Sequence, residues 1–404
     1  MKRIRMGLVG PGFIASHHID AVRRLGNVDI VAIAGSNQQS AEKKAKEFGV
    51  GRAYGSYRDL IRDSDIDVVH NTTPNHLHYP VTLEALAAGK HVISDKPLAI
   101  DPEEAQSLRD AAAQAGLANI VMFNYRGNPV VQHARAMVQS SDIGAVNFTH
   151  GYYLQDWMAD AGVYSWRSDP ARGGASSALG DIGSHWCDLA QYITSSNIEW
   201  VLADLTTIVP IRYSAGASRQ AFATNNHDPA NSMHVPGEDL ASVLLRFENG
   251  SKGCFSVGQV APGHKNDLRL EVCGRSGSLR WLQEEPNELW VGRYGEPNLL
   301  LSKDPAQLVE NARRHARLPA GHQGGWADAF FATMFDAYEW IRAQGDPAAK
   351  PEVTATFDDG YRVCCVIDAM LRSHASGGVW QKVEYHATHL TSPSPNVLDE
   401  TRIK

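Results

Sequence analysis

Over its first 125 residues the chain alternates short apolar runs with stretches of helical spacing, a pattern that leaves few folds open. Met6 to Val9 is apolar, Gly10-Pro11-Gly12-Phe13-Ile14-Ala15 breaks the run, and His18 to Leu25 has helical spacing. Val28 to Ala34 reads as the next strand and Ser40 to Phe48 as a helix rich in Ala, Lys and Glu. Ile66 to Val69 begins a third strand that runs into Asn71-Thr72-Thr73-Pro74. Val81 to Ala88 is helical with Gly89 as its stop, and His91 to Ser94 is a strand. Asp101-Pro102-Glu103-Glu104 opens another helix as N-cap, first-turn proline and dipole-matching acids. Gly116 closes that helix, and Ile120 to Phe123 is a strand. Such alternation predicts a parallel sheet with helices on both faces.

Within that frame Gly10, Gly12 and Ala15 match the G-x-G-x-x-G/A fingerprint. The first glycine makes a tight turn, the second lets a pyrophosphate approach the backbone, and the small third residue lets helix and strand pack closely. Set between a strand and a helix, the match predicts nucleotide binding, with Phe13 and Ile14 at the start of the helix beside it. An acid at the end of the second strand would hold a ribose 2′-hydroxyl. This chain has Gly35-Ser36-Asn37 there. A 2′-phosphate is therefore not repelled, and Ser36, Asn37 and Lys43 or Lys44 are candidates to bind it; yet no arginine is offered, so NAD and NADP both stay open. A plain turn at Ser36-Asn37 is the alternative.

A second concentration of chemistry is Gly180-Asp181-Ile182-Gly183-Ser184-His185-Trp186-Cys187-Asp188. At roughly 100° per residue, Asp181, Ser184, His185, Asp188 and Tyr192 share one arc, while Ile182, Trp186, Leu189, Ala190 and Ile193 fill the other. Two short carboxylates flanking an imidazole suit proton transfer, against the alternative of an ordinary polar face.

Bulk composition narrows the partners. With 404 residues, 43% hydrophobic and 21% charged, the chain is long enough for two cores. A net charge of −7 argues against nucleic acid or an anionic membrane and for small molecules. Apolar runs are too short to span a bilayer and no signal-peptide core precedes the first strand, so the expected location is cytoplasmic. Five cysteines, Cys187, Cys254, Cys273, Cys364 and Cys365, form neither an even disulfide set nor a CxxC pair, and reduced thiols are expected. His76-x-His78 lacks acids or thiols in a ligand arrangement, so no metal is expected.

After Asn124-Tyr125-Arg126 the alternation stops. Asp239 to Phe247 and Lys252 to Val260 flank Glu248-Asn249-Gly250-Ser251, an Asn-Gly hairpin signal. Leu268 to Cys273, Leu279 to Leu282 and Leu289 to Tyr294 continue a mostly antiparallel open sheet. The polar stretch from Ser214 to Gly237 is too long for a turn and reads as a lid, a partner-contacting loop or disorder. From about residue 386 a Ser-, Thr- and Pro-rich tail is either a loose end or an arm over a neighbour. The expected layout is a dinucleotide-binding unit at 1–125, a second α+β unit at 126–385 and a tail at 386–404.

Thr73-Pro74-Asn75-His76-Leu77-His78, Gly89-Lys90-His91-Val92 and Asp95-Lys96-Pro97-Leu98-Ala99, with the Asp-x-x-x-His spacing of Asp181 and His185, resemble the Gfo/Idh/MocA oxidoreductases. The likeness runs from residue 4 to about 385. It implies a Rossmann doubly wound parallel sheet followed by an α+β domain with a large open sheet that mediates homodimers or homotetramers. It also implies NAD or NADP as cofactor and Lys96, Asp181 and His185 as the catalytic trio. Asp95 stands where the family has glutamate, which puts the contact of the longer acid in doubt while Lys96 is intact. A cis Lys96-Pro97 bond is implied as well, and Thr73, Asn75, His78 and Asp95 fall where the family meets the cofactor, Asn75 and His78 beside the nicotinamide ribose.

The expected substrate wall is Tyr152-Tyr153-Leu154-Gln155-Asp156-Trp157 with Trp166-Arg167, because a sugar offers apolar C–H faces and many hydroxyls to aromatic and polar side chains. Together with Asn124, Tyr125 and Arg126 it is similar to the levoglucosan dehydrogenase branch of the family. His322, in a Gly-His loop, resembles a substrate contact of sugar-oxidising relatives. Sparse Lys and Arg weigh against a phosphorylated substrate. The expected reaction is reversible oxidation of a secondary alcohol on a sugar, anhydrosugar, glycoside or cyclitol. His185 takes the proton, Lys96 stabilises the alkoxide, Asp181 balances charge and Asp188 holds the other imidazole nitrogen, with Lys96 and His185 both candidates for the base. Two rivals stand beside it: a glycosidase that uses a tightly held NAD, and a sugar- or nucleotide-sensing protein.

Overall fold

The computed structural model describes residues 3–213 and 232–387. Strands β1 (Ile4–Val9), β2 (Val28–Ala34), β3 (Arg52–Tyr54), β4 (Val68–Asn71), β5 (His91–Ser94) and β6 (Asn119–Val121) form one parallel sheet in the order β3-β2-β1-β4-β5-β6. Helices α1 (Phe13–Leu25), α2 (Gln38–Phe48), α3 (Tyr57–Arg62), α4 (His78–Ala87) and α5 (Pro102–Ala115) connect them. The Asp101 cap and the left-handed Gly116 stop of α5 stand where the sequence places them. Both faces of this sheet are buried, and successive residues alternate between them: Val68, Ile93 and Ile120 enter one core, Val69, Val92 and Val121 the other. β3 and α3 escape sequence reading because they are short and only partly apolar.

The second half adds α6 (Pro129–Gln139), β7 (Val146–Leu154), the single turn α7 (Pro170–Gly173), α8 (Ser184–Thr194) and β8 (Ile198–Thr206). The next strands are β9 (Ile211–Tyr213), β10 (Ser232–His234), β11 (Leu240–Phe247), β12 (Lys252–Gly258), β13 (Asp267–Gly274), β14 (Gly277–Leu282), β15 (Glu288–Arg293) and β16 (Leu299–Ser302). Helices α9 (Glu310–Arg313), α10 (Trp326–Arg342) and α11 (Phe357–Ala375) and the short β17 (Gln381–Lys382) end the described chain. The large sheet runs β16-β15-β14-β13-β7-β12-β11-β8-β17; all its pairs are antiparallel except β7 with β12. The architecture is therefore α/β, a Rossmann-like parallel sheet joined to a mixed, largely antiparallel one. No described helix is long and apolar enough to cross a membrane.

The inner face of the large sheet packs on α8, where Trp186 stacks on Phe255 with ring centroids 4.4 Å apart. Helix α10 returns to the first sheet: Phe330, Phe331, Met334 and Tyr338 join Met6, Leu8 and Ile120 in one core. Of the stretch expected to be a lid or loop, β10 pairs with β9, and 214–231 lie outside the described residues. Of the expected tail, the His386 amide donates to the Tyr361 hydroxyl at 3.3 Å, and 388–404 lie outside the described residues. All five cysteines are free.

Candidate active site

Strand order reverses between β1 and β4, and at such a switch point the loops that follow the two strands part to leave a crevice. Gly10 turns there with φ +84°, and a Cβ on it would lie 2.8 Å from the Thr73 backbone, so glycine is required. Gly12, the N-cap of α1, offers no side-chain capping hydrogen bond and has free space where a Cβ would stand. That leaves the helix N-terminus open to an anion.

The groove continues past Phe13, Ile14, Ser36, Ser40 and Lys44 on one side and Thr73, Asn75, Asp95, Lys96 and Trp166 on the other. Two expected cofactor residues lie outside it. Asn37 caps α2 instead, its carboxamide oxygen accepting the Ser40 amide at 2.8 Å. His78 is buried, its ring nitrogens facing the carbonyls of Pro97 at 2.6 Å and Thr73 at 2.9 Å. It secures the turn at Lys96-Pro97, whose bond is cis. Asn75 reaches the groove edge and donates to the Gly173 carbonyl at 2.9 Å.

The groove opens into a second cleft of about 380 Å³, and the two share Phe13, Ile14, Asp95, Lys96, Arg167 and Asp181. Lys96 Nζ donates to Asp181 Oδ1 at 2.8 Å and to the Asp181 carbonyl at 2.6 Å. Arg167 Nε donates to the same carboxylate oxygen at 3.2 Å, and Gln259 Nε2 to the other at 2.8 Å. Burial opposes ionisation of Asp181, but Lys96, Arg167 and the hydrogen bonds outweigh it and hold the carboxyl well below the usual range. Asp95, half-buried beside Lys96 where it lines both clefts, is pushed upward by desolvation.

His185 enters the cleft from the first turn of α8, just after a π-helical turn at Leu179–Gly183 that widens the helix beneath Asp181. Tyr125 and Phe123 meet its ring edge-on at 5.0 Å and 5.8 Å between centroids. Its Nδ1 is buried without a hydrogen-bond partner. Burial first, and Lys96 second, push the imidazole well below its ordinary value, so it is neutral at pH 7.

The structure corrects the expected support from Asp188. That carboxylate accepts Arg126 Nε at 2.9 Å and its terminal nitrogen at 2.5 Å, and Asp359 takes the same nitrogen at 3.0 Å. Asp188 therefore holds Arg126 rather than the imidazole. Arg126 in turn is buried under Tyr192 and does not line the cleft, because two carboxylates neutralise it inside the protein. Nor does His322 reach the cleft. It is exposed, its carbonyl held by Lys303 at 2.7 Å, and Trp326, four residues on, lines the cleft in its place. Asp156 stands behind the wall and anchors Lys265, which lines it. Trp166 lines the groove and carries Arg167 over its ring at 4.6 Å.

Asn124, Tyr125, Gln155 and Arg167 do line the cleft. The sequence reading omitted Asn266, whose carboxamide oxygen accepts from Tyr153 at 2.6 Å and Gln155 at 2.9 Å and whose nitrogen donates to Tyr125 at 3.3 Å. It also omitted Gln259, the partner of Asp181. Both lie in or beside loops, where no periodicity marks them.

Comparison with known proteins extends this geometry. An oxidoreductase family with an NAD-binding Rossmann fold matches residues 4–125, and the Gfo/Idh/MocA C-terminal domain matches residues 131–280. Levoglucosan dehydrogenase of Pseudarthrobacter phenanthrenivorans is 31% identical over 392 residues, covering 93% of this chain and 97% of that protein. Glucose-6-phosphate 3-dehydrogenase of Bacillus subtilis is 31% identical over 367 residues, covering 90% and 93%. A solved levoglucosan dehydrogenase in complex with NADH and levoglucosan is 29% identical with a TM-score of 0.83, covering 95% of this chain and 100% of that one. With a glycine cradle at the switch point, a lysine-aspartate-histidine cleft beside it and sugar dehydrogenases among its relatives, the chain belongs to the Gfo/Idh/MocA family of NAD-binding oxidoreductases.

Proposed function

We propose that the protein reversibly oxidises a secondary alcohol of an unphosphorylated sugar, anhydrosugar, glycoside or cyclitol, with NAD or NADP as the redox partner. The observation that carries this reading is the junction of the two clefts, where a clamped ammonium and a neutral, incompletely paired imidazole share one wall. The glycine cradle at Gly10 and Gly12 and the open N-terminus of α1 fit a dinucleotide pyrophosphate. When bound there, the nicotinamide supplies a hydride acceptor or donor.

His185 takes the hydroxyl proton as the alcohol becomes a carbonyl, its low proton affinity keeping it available as a base at neutral pH. Lys96 donates a hydrogen bond to the same oxygen and opposes the charge that develops on it. Asp181 keeps Lys96 in place, and its two further donors fix the carboxylate itself. Aromatic edges and the amides of Asn124 and Gln155 suit the C–H faces and hydroxyls of a polyol. Among the described residues lining the cleft the long cations are already matched, Lys96 and Arg167 by Asp181 and Lys265 by Asp156. That favours a neutral substrate over a phosphorylated one.

The test is a screen of nicotinamide reduction with NAD and NADP against monosaccharides, anhydrosugars, glycosides, inositols and sugar phosphates. Turnover of an unphosphorylated polyol is expected, with kcat lowered by about 10²–10⁴ in His185→Ala. Turnover of phosphorylated sugars alone, or aglycone release without net reduction, would sink the reading. On the adenosine side, Ser36, Ser40 and Lys44 line the groove and no acid ends β2. We infer that a 2′-phosphate is accepted, with Lys44 turning to it from the exposed Glu47 that it meets at 2.9 Å; Lys44→Ala should raise KM for NADP about threefold to tenfold and leave KM for NAD unchanged. Leu244 on the interior strand β11 and Leu300 on the edge strand β16 are 48% and 59% exposed, which supports a homodimer or homotetramer through the large sheet's open face, to be read by light scattering.

A further inference from the structure

The large sheet turns away from α8 a cluster that the proposed reaction does not use. β7 and β13 pair with His150 opposite Glu271 and Phe148 opposite Cys273, so His150, Glu271 and Cys273 share one face. His150 Nε2 lies 3.8 Å from Glu271 Oε1, Cys273 Sγ lies 4.0 Å from the same oxygen, and the three ligand atoms are all within 4.8 Å of one another. Two of the three are oriented by neighbours. Arg269 donates to the other carboxylate oxygen, Oε2, at 2.7 Å, which leaves Oε1 toward the imidazole and thiol. The His150 ring stacks on Phe148 with centroids 5.1 Å apart and planes 22° apart. Orientation of metal ligands by adjacent groups is the rule in metal sites.

A cross-strand ion pair would account for the histidine and the glutamate but not for the thiol beside them. An imidazole, a carboxylate and a thiolate suit a borderline-soft ion, and tetrahedral zinc with bonds of about 2.0–2.3 Å sets its ligand atoms roughly 3.3–3.8 Å apart. The two separations from Glu271 Oε1, 3.8 Å to His150 and 4.0 Å to Cys273, close on that geometry with shifts of a few tenths of an ångström, and the His150–Cys273 pair, within 4.8 Å, with a side-chain rotation of up to about 1 Å. We propose that His150, Glu271 and Cys273 bind one Zn²⁺ per chain, with water completing the coordination. No local spacing marks this set in the sequence, because its members meet only through strand pairing. The site is separate from the cleft, so the proposal does not rest on the oxidoreductase reading.

The test uses the full-length protein, stripped with a chelator, kept reduced and titrated with Co²⁺ and then Zn²⁺. One equivalent of Co²⁺ should bind with a near-ultraviolet thiolate-to-cobalt band that Zn²⁺ abolishes. Cys273→Ser should remove the band, and His150→Gln should weaken Zn²⁺ about tenfold or more. Cys254 faces the same side opposite His150 on β12 but stands outside the cluster, and Cys254→Ser should change neither. These side chains are partly exposed, so the variants should fold, and Zn²⁺ should raise the Tm of the wild type but not of Cys273→Ser. Absence of the band at one equivalent, its survival in Cys273→Ser or its loss in Cys254→Ser would overturn the proposal.

Discussion

Asp181, half-buried, and Asp188, buried, are two carboxylates on one continuous helical stretch, and their neighbours give them different work. Asp181 meets Lys96, Arg167 and Gln259 at the edge of the cleft, while Asp188 meets Arg126 beneath it. Asp188→Ala leaves the buried guanidinium with Asp359 as its one carboxylate partner, which should cost about 1.5–3 kcal/mol and appear as a lower urea midpoint with turnover of the folded fraction kept. Asp181→Asn loosens Lys96 at the reacting oxygen and should lower kcat about a hundredfold with a much smaller change in the midpoint. Equal effects of the two on kcat would show that the division is wrong. Because burial and Lys96 hold His185 below its ordinary value, the acid limb of kcat/KM should lie below about pH 6.5, and it should vanish from the residual activity of His185→Ala. Asp181 and His185 stood out in the sequence because short carboxylates flanking an imidazole are unusual on a solvated helix face, and Lys96 through the Lys-Pro turn that carries the family resemblance; the structure brings the three to one cleft. Arg126 was misread as a pocket residue because its second partner, Asp359, lies on α11, far along the chain.

At the scale of elements, the helix that carries His185 begins on a carboxylate the sequence does not place near it. Glu238 Oε1 accepts the amides of Ser177 and Leu179, both at 2.8 Å. Burial pushes its pKa from 4.5 up to about 7, against the pull of those amides. Between those two values the folded protein holds a proton that the unfolded chain has released, so stability falls as pH rises through the window, by about 3 kcal/mol in all. Glu238→Gln keeps the accepting oxygen and removes the charge. Its Tm should stay flat across that window and exceed that of the wild type at about pH 8, as calorimetry would show; a parallel pH dependence in both proteins would refute the assignment. Element type was readable wherever a run had clear period, as at β2 and β5, which stand as expected. Starts were less so: α1 begins at Phe13, inside the Gly-Pro stretch read as a break, because Gly12 itself serves as the N-cap.

Across the whole molecule, the two sheets are joined by helices that belong to both. α10 follows the large sheet in sequence but buries Phe330, Met334 and Tyr338 against the first one. His70 on β4 bonds the Tyr338 hydroxyl at 2.9 Å and His18 on α1 at 3.0 Å, with all three side chains fully buried. Tyr338→Phe removes one member of that chain and should cost about 1–3 kcal/mol, read from the denaturation midpoint, with cofactor affinity unchanged. The two-sheet plan was legible from the switch of period near residue 125, but the return of α10 was not, because an amphipathic stripe does not say which sheet it will cover. The return also dictates an order of events in synthesis. The N-terminal strands leave the ribosome with Met6, Leu8, Ile120 and Met122 on a face that Ile19 and Val22 of α1 cover only in part, the rest of the cover being encoded some 200 residues later. At about 5–20 residues per second that face waits roughly 10–40 s. A truncated chain ending near residue 125 should expose it and bind a hydrophobic dye, and nascent chains stalled between residues 125 and 325 should be those a holding chaperone retains.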